Sequence, residues 1–274
     1  MNPVELAFAA LITAAVGALG GLGGAILLVP FLVLSGLSAR EAAPLGLISV
    51  AAGSLAAAPH QLRAHLVNHR LGVSTEIIGS AAALIGALAS GIIGQSTLAL
   101  MLGVVALVAA YFGGRRKGIR NLPDPSLTID DIGEHAGSLS GVYQLDEDEF
   151  VRYQANRVPV GLVGMATAGL IAGLSGVSGG FIKTPTTSEV MHVPVKVAAA
   201  TTTFTVGITS AVALLVYEAQ GRIVVSDAAL VAGAALIGGT IGARMQAVLP
   251  PPKVRGALSA VLVIIGVLLI ARNL

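Results

Sequence analysis

Two glycine-rich turns and one lysine hold most of the chemistry legible in this chain. The first turn gathers Gly17, Gly20, Gly21, Gly23 and Gly24 ahead of Pro30; the second reads Ser175-Gly176-Val177-Ser178-Gly179-Gly180 ahead of Pro185. Both interrupt long uncharged runs. Each glycine costs on the order of 1 kcal/mol inside a helix, so each cluster reads as a break from which a second half-helix starts. A helix that begins at membrane depth leaves its first N–H groups without partners and carries about half a positive charge there. An anion answers both needs, and Gly and Ser let backbone amides approach it closely. The expected binding elements are Gly20, Gly21, Gly23 and Gly24 in the first half and Ser175, Gly176, Ser178, Gly179 and Gly180 in the second. The competing reading is that these glycines only let helices bend or pack closely.

Lys183 lies within a turn of the second break, in an otherwise uncharged half-helix. A lysine is costly at membrane depth and there marks a substrate path; from a shallow position it snorkels to the interface instead. In the helix that follows, Thr201, Thr205 and Thr209 are spaced four apart and share a face, whereas Thr201, Thr202 and Thr203 fan out around the axis. Thr201 and Thr205 are the threonines expected at the site, with back-bonding to helix carbonyls as the structural alternative. Ser49 and Ser54 are the polar residues of the corresponding helix in the first half.

Other polar residues fit chemistry less well. His60, His65 and His69 lack a carboxylate nearby in sequence to complete a ligand set, Glu189 and His192 are candidates for a coupling proton, and Asp146 and Asp148 lack the glycine and terminal glutamate of a calcium loop. No nucleophile triad, P-loop or dinucleotide fingerprint is readable, and the absence of cysteine removes thiolate chemistry. Neither an enzyme nor a cofactor is expected. The pI near 9.2 rests on a net charge of only +2, so nucleic acid is not an expected partner.

The elements that must position these residues are membrane helices. Of 274 residues, 55% are hydrophobic and 11% charged, and mean hydropathy is +0.87, far from the roughly 25% charge of soluble domains. Of 16 basic and 14 acidic residues, fourteen crowd between Gly114 and Val158. The rest forms uncharged runs at Leu6–Ala39, Ala42–Leu62, Ile77–Gly114, Val158–Ile182, Val197–Tyr217, Ala228–Ala243 and Gly256–Ala271. The first run would be about 50 Å as one helix, too long for one span and too short for two. The start Met-Asn-Pro-Val-Glu has an acid where a secretion signal carries Lys or Arg, so the first run is expected to stay in the mature fold. Gly86, Gly91, Gly238 and Gly242 read as close helix packing.

The chain reads as duplicated. An offset of 155 places Leu19, Gly21, Gly24, Pro30 and Ala43 on Leu174, Gly176, Gly179, Pro185 and Ala198. A three-residue deletion, giving 152, would then place Arg70 on Arg222 and Ala82–Gly86 on Ala234–Gly238. The expected organisation is a first transmembrane repeat over 1–113, a cytoplasmic polar linker or small ordered cap over 114–158 and a second repeat over 159–274. The expected fold is an all-α polytopic membrane protein with two inverted repeats, each a glycine-broken re-entrant segment plus three transmembrane helices. Re-entrant hairpins would gather Arg63, Arg70, Arg115, Arg116, Lys117, Arg120, Arg152, Arg157, Lys196, Arg244, Lys253 and Arg255 on one side, against Arg40, Arg222 and Arg272. That bias puts the linker in the cytoplasm.

Gly-Gly-Leu-Gly-Gly-Ala-Ile-Leu-Leu-Val-Pro at 20–30 and Ser-Gly-Val-Ser-Gly-Gly-Phe-Ile-Lys-Thr-Pro at 175–185 resemble the TauE/SafE sulfite exporter family, a resemblance that covers everything but the central loop. It implies a multi-pass anion permease of the cell membrane, with the two turns as binding elements and sulfite, sulfoacetate or a related sulfur oxyanion as cargo. The long acidic insert and Ala25, where the second turn has Gly180, depart from that pattern. The expected activity is secondary transport by alternating access, with protons as a coupling ion and a homodimer as an assembly. The alternatives are a passive anion channel and a permease for a non-sulfur organic anion.

Overall fold

The computed structural model describes residues 1–20, 24–114, 132–146, 149–246 and 251–273. The first half contains α1 (Pro3–Gly20), α2 (Ala25–Leu34), α3 (Ala39–Arg63), α4 (His69–Ser90) and α5 (Gln95–Gly114). The second contains α6 (Val158–Ser175), α7 (Gly180–Pro185) with a π-helical turn over Thr186–Val190, α8 (Val195–Ala219), α9 (Val225–Gln246) and α10 (Pro251–Asn273). Among the described residues seven helices, α3–α6 and α8–α10, are long and apolar enough to cross a membrane. The chain is a multi-pass membrane protein.

Local chemistry fixes the ends. Ser38 caps α3 through a capping box with Glu41, and the Asn68 side chain accepts from the Leu71 N–H to start α4. After α6, Gly176 takes the left-handed conformation at φ 72°, and a Cβ there would collide with the backbone of Ala43. Beyond Pro185 the helix widens, and the Met191 N–H donates to the Thr186 carbonyl five residues back.

Between the halves the described residues form strands. β1 (Gly133–Glu134), β2 (Ser140–Asp146) and β3 (Glu149–Gln154) form an antiparallel sheet in the order β1-β2-β3, with Tyr143 opposite Val151 and an irregularity between Gln144 and Asp146. The transmembrane part is all-helical, as expected, and the sheet is confined to the linker, where a small ordered cap is one of the two expectations. Alternation explains the sheet: Val151 and Tyr153 point inward while Phe150 and Gln154, on the opposite face, are exposed. With Tyr143 they pack on Leu71, Met165, Met191 and Val197, at one end of α4, α6 and α8. Asn68 fastens the sheet to the bundle by donating through Nδ2 to the Ser140 carbonyl at 3.3 Å and the Tyr153 hydroxyl at 3.1 Å.

Helix bounds in the two halves keep a nearly constant offset. Pro3–Gly20 and Val158–Ser175 stand 155 residues apart, whereas α3 and α8, and α4 and α9, stand 156 apart. The register therefore gains one residue after the break instead of losing three. The pairing of Arg70 with Arg222 is incorrect, because Arg70 lies in the first turn of α4 and Arg222 in the turn before α9. Contacts obey the 155/156 register: Gly86 of α4 packs on the Leu170 carbonyl of α6, and its counterpart Gly242 of α9 packs on the Ala15 carbonyl of α1. At Gly86 and Gly242 the small residue serves close helix approach.

Helix directions follow from the same contacts. Asn68 meets Thr201, Glu76 meets Thr209 and Gln220 meets Ala87, each pair 133 residues apart, so α4 and α8 run parallel. The corresponding helices α3 and α8 run antiparallel, since Ser54 bonds the Thr203 carbonyl near their middle and Arg222 bonds the Arg40 carbonyl where α3 starts and α8 ends. At the opposite end, the Asn156 N–H just before α6 donates to the Met191 carbonyl just after the π-helical turn at 2.9 Å. The chain thus arrives at α6 and leaves the broken segment side by side. This end carries Arg63, Arg70, Arg152, Arg157, Lys196 and Arg244, whereas the other carries Arg40, Arg222 and Arg272.

Candidate functional site

Two polar features lie between the halves. The first is a cavity of about 160 Å³ that reaches both glycine breaks. Gly24, Ser49, Gly53, Ser54 and Gln61 line it from the first half, and Ser178, Gly180, Thr184, Thr202 and Thr203 from the second. Among the described residues that line it, none is charged. The Ser54 hydroxyl is committed to the Thr203 carbonyl at 2.6 Å, and Ser178 Oγ accepts from the Gly180 N–H at 3.2 Å, which leaves the Ser178 hydroxyl hydrogen free to aim elsewhere. Ser49 is 2% exposed and its hydroxyl has no hydrogen-bond partner. Leaving a buried hydroxyl unpaired costs about 1–3 kcal/mol, which a guest acceptor would recover.

The second feature is ionic. Lys183 Nζ donates to Glu76 Oε2 at 2.5 Å and to Thr209 Oγ1 at 2.6 Å. Glu76 Oε1 in turn accepts from Thr209 and from Ser80 Oγ, the latter at 2.8 Å. Lys183 is 0% and Glu76 3% exposed. Gly79 lies beside the pair, and a Cβ there would meet both carboxylate oxygens and Nζ at an ordinary contact distance of 3.5 Å. Such a cluster is tolerable in hydrocarbon because charge is matched and each ionic head is hydrogen-bonded.

The residues expected from sequence divide accordingly. Gly24, Ser178 and Gly180 line the cavity, while Gly20 closes α1; Gly21 and Gly23 lie outside the described residues. Gly179 packs on α6, where a Cβ would approach the Ala168 carbonyl at 2.8 Å, and Gly176 packs on α3. Ser175 bonds back to the Ile171 carbonyl at 2.7 Å. Lys183 is buried but turned to Glu76 instead of the cavity. Thr201 accepts from the Asn68 N–H and Thr205 donates to the Thr202 carbonyl, and the methyls of both face Gly72 of α4. Their face is occupied by helix packing, so Thr202 and Thr203 take the cavity wall.

Glu189 and His192, the candidates for a coupling proton, are both exposed, near the end of the broken segment. His69 instead stands 3.7 Å from Glu134 of the sheet and edge-on to Phe204. Among the described residues no group of three or more His, Asp or Glu could hold a metal. Glu76 is the residue that sequence reasoning missed. The available signal was the Asn68 cap, which starts α4 at His69 and so places Glu76 two turns inside it instead of at the edge of an uncharged run.

A two-part bundle with a polar cavity at its paired breaks is the arrangement of a carrier of small solutes, and the family comparison agrees. The model of the sulfite exporter TauE/SafE family matches residues 6–269. The chain belongs to that family. TauE/SafE proteins are membrane exporters of sulfur anions, and the match takes in both halves and the sheet between them. No curated protein and no solved structure matches this TauE/SafE chain.

Proposed function

We propose that this TauE/SafE protein is a secondary transporter of the cell membrane that moves a small oxyanion, sulfite or a related sulfur oxyanion or organosulfonate, through the cavity between its halves. The observation that carries the reading is the Ser49 hydroxyl, buried and unpaired in the wall of a cavity built by both breaks. A volume of about 160 Å³ accommodates a small anion with some of its water, each water occupying about 30 Å³ in the liquid. Hydroxyls and backbone N–H groups serve as donors, so the anion is held without a permanent net charge that would oppose its release.

The two repeats are read as inverted across the membrane, which the antiparallel course of α3 and α8 supports. Each broken segment re-enters, and the sheet faces the cytoplasm because the positive residues gather at its end. Alternating access is then a rocking of one half against the other about the cavity. Sulfite flux into proteoliposomes, with thiosulfate, sulfate, sulfoacetate and chloride as competitors, tests the reading. Saturable, sulfite-selective flux with counterflow supports it; flux without saturation or counterflow makes the protein a channel, and flux of another anion alone replaces the cargo.

A further inference from the structure

We propose that Glu76 is a proton-carrying carboxylate linked to anion passage, with Lys183 as the cation it releases when protonated, an inference that rests on the transport reading above. Glu76 comes from the first half and Lys183 from the second, and Thr209 bridges them. Lys183 immediately precedes Thr184 on the cavity wall, and Thr209 lies two turns along α8 from Thr202, about 10 Å on the same side. The cluster therefore adjoins the cavity without lining it.

Charge balance supplies the coupling. In the resting site the Glu76 carboxylate and the Lys183 ammonium cancel. A monoanion arriving alone leaves one uncompensated negative charge in a low-dielectric interior, and a proton arriving alone leaves one positive charge. When both arrive, the proton goes onto Glu76, its ion pair with Lys183 breaks, and the ammonium neutralises the anion. Only the empty state and the doubly loaded state are neutral, so anion and proton enter and leave together. Direction follows their combined gradients.

Among the described residues of the elements packed around the pair, the other titrating groups stand apart from it, and Glu189 of the π-helical turn is exposed. α6 has no ionisable residue, and α7 has only Lys183. On α8, Lys196, Tyr217 and Glu218 lie toward the ends, at least about 12 Å along the axis from Thr209, and on α4 His69 and Arg70 lie in the first turn.

The test follows sulfite by tracer and protons by an entrapped indicator in proteoliposomes, with protein-free vesicles subtracting leak of undissociated acid. The expected result is that wild type accumulates sulfite under an inside-alkaline gradient and that Glu76→Gln loses this dependence on the gradient. Saturable wild-type flux indifferent to the gradient, or full dependence kept in Glu76→Gln, overturns the inference while leaving the transporter intact; absence of saturable flux removes the transport reading itself. If Glu76→Gln does not fold, infrared difference spectra of the wild-type protein decide. Sulfite addition should raise a protonated-carboxyl band that Glu76→Asp shifts, and absence of the band overturns the proposal.

Discussion

Glu76 and Lys183, 107 residues apart, close a buried ion pair of 2.5 Å between the two halves of the molecule. Removing one partner strands a charge in the interior, so Lys183→Ala is expected to lower stability by about 3–5 kcal/mol and cannot by itself separate folding from transport. The double variant Lys183→Met with Glu76→Leu replaces both charges with apolar groups and is expected to recover most of that loss while remaining inactive in flux. Thermal unfolding in detergent beside flux in vesicles checks both halves of the expectation. An inactive single variant with an undisturbed melting curve would show that the pair does not support the fold.

Gly53 separates cavity volume from stability in another way. It lines the cavity, yet a Cβ built on it meets nothing within 4 Å. Gly53→Ala should therefore fit, stabilise α3 by up to about 1 kcal/mol through its better helix propensity, and still reduce sulfite flux by narrowing the site. Gly53→Leu should abolish flux. Full transport in the leucine variant would place the anion path elsewhere.

Much of this was legible in the sequence for a physical reason: hydrocarbon admits few structures, so uncharged runs became helices and glycine clusters became breaks. Where the expectation failed, the missing information was three-dimensional. The face of Thr201 and Thr205 was identified, but only packing decides that this face meets Gly72 of α4 while Thr202 turns to the cavity. Lys183 stands out by its cost, yet its partner is hidden in the sequence because Glu76 immediately precedes the uncharged run from Ile77. The 152 register came from matching Ala, Leu and Gly letters that recur in any membrane helix. Helix caps and bounds carried the better signal, and the acidic loop hid β2 and β3 because their inward alternation is short.

Tyr153 makes the sheet a reporter of alkaline pH. Burial raises its phenol to about 12, with the hydrogen bond from Asn68 working against the rise and nearby Glu134 adding to it. The folded state thus holds the proton more tightly than the unfolded chain, whose phenol titrates near about 10. Its contribution is complete below pH 10 and is lost as pH rises from about 10 to about 12, on the order of 3 kcal/mol in all. Tyr153→Phe should cost about 1 kcal/mol near neutrality and flatten the decline over that window. Melting temperatures measured from pH 8 to 12 for both proteins settle it, and identical slopes would detach Tyr153 from the effect.

Because the chain has no cysteine, its course through the bilayer can be read by single-cysteine labelling without a background to remove. Ala136 is exposed in the sheet region, and Ser96 is exposed at the start of α5, near the end where Arg40 bonds the Ile93 carbonyl. With the sheet in the cytoplasm, a membrane-impermeant maleimide added to intact cells should label Ser96→Cys and spare Ala136→Cys, and inside-out vesicles should reverse the pattern. Neither residue touches the cavity, so both variants should keep sulfite flux. Labelling of both from the same side would contradict the course inferred from the antiparallel α3 and α8, and with it the rocking of inverted halves. Labelling in the reversed order would keep that course but turn the molecule over, placing Arg63, Arg70 and Lys196 outside against the usual preference for positive residues within.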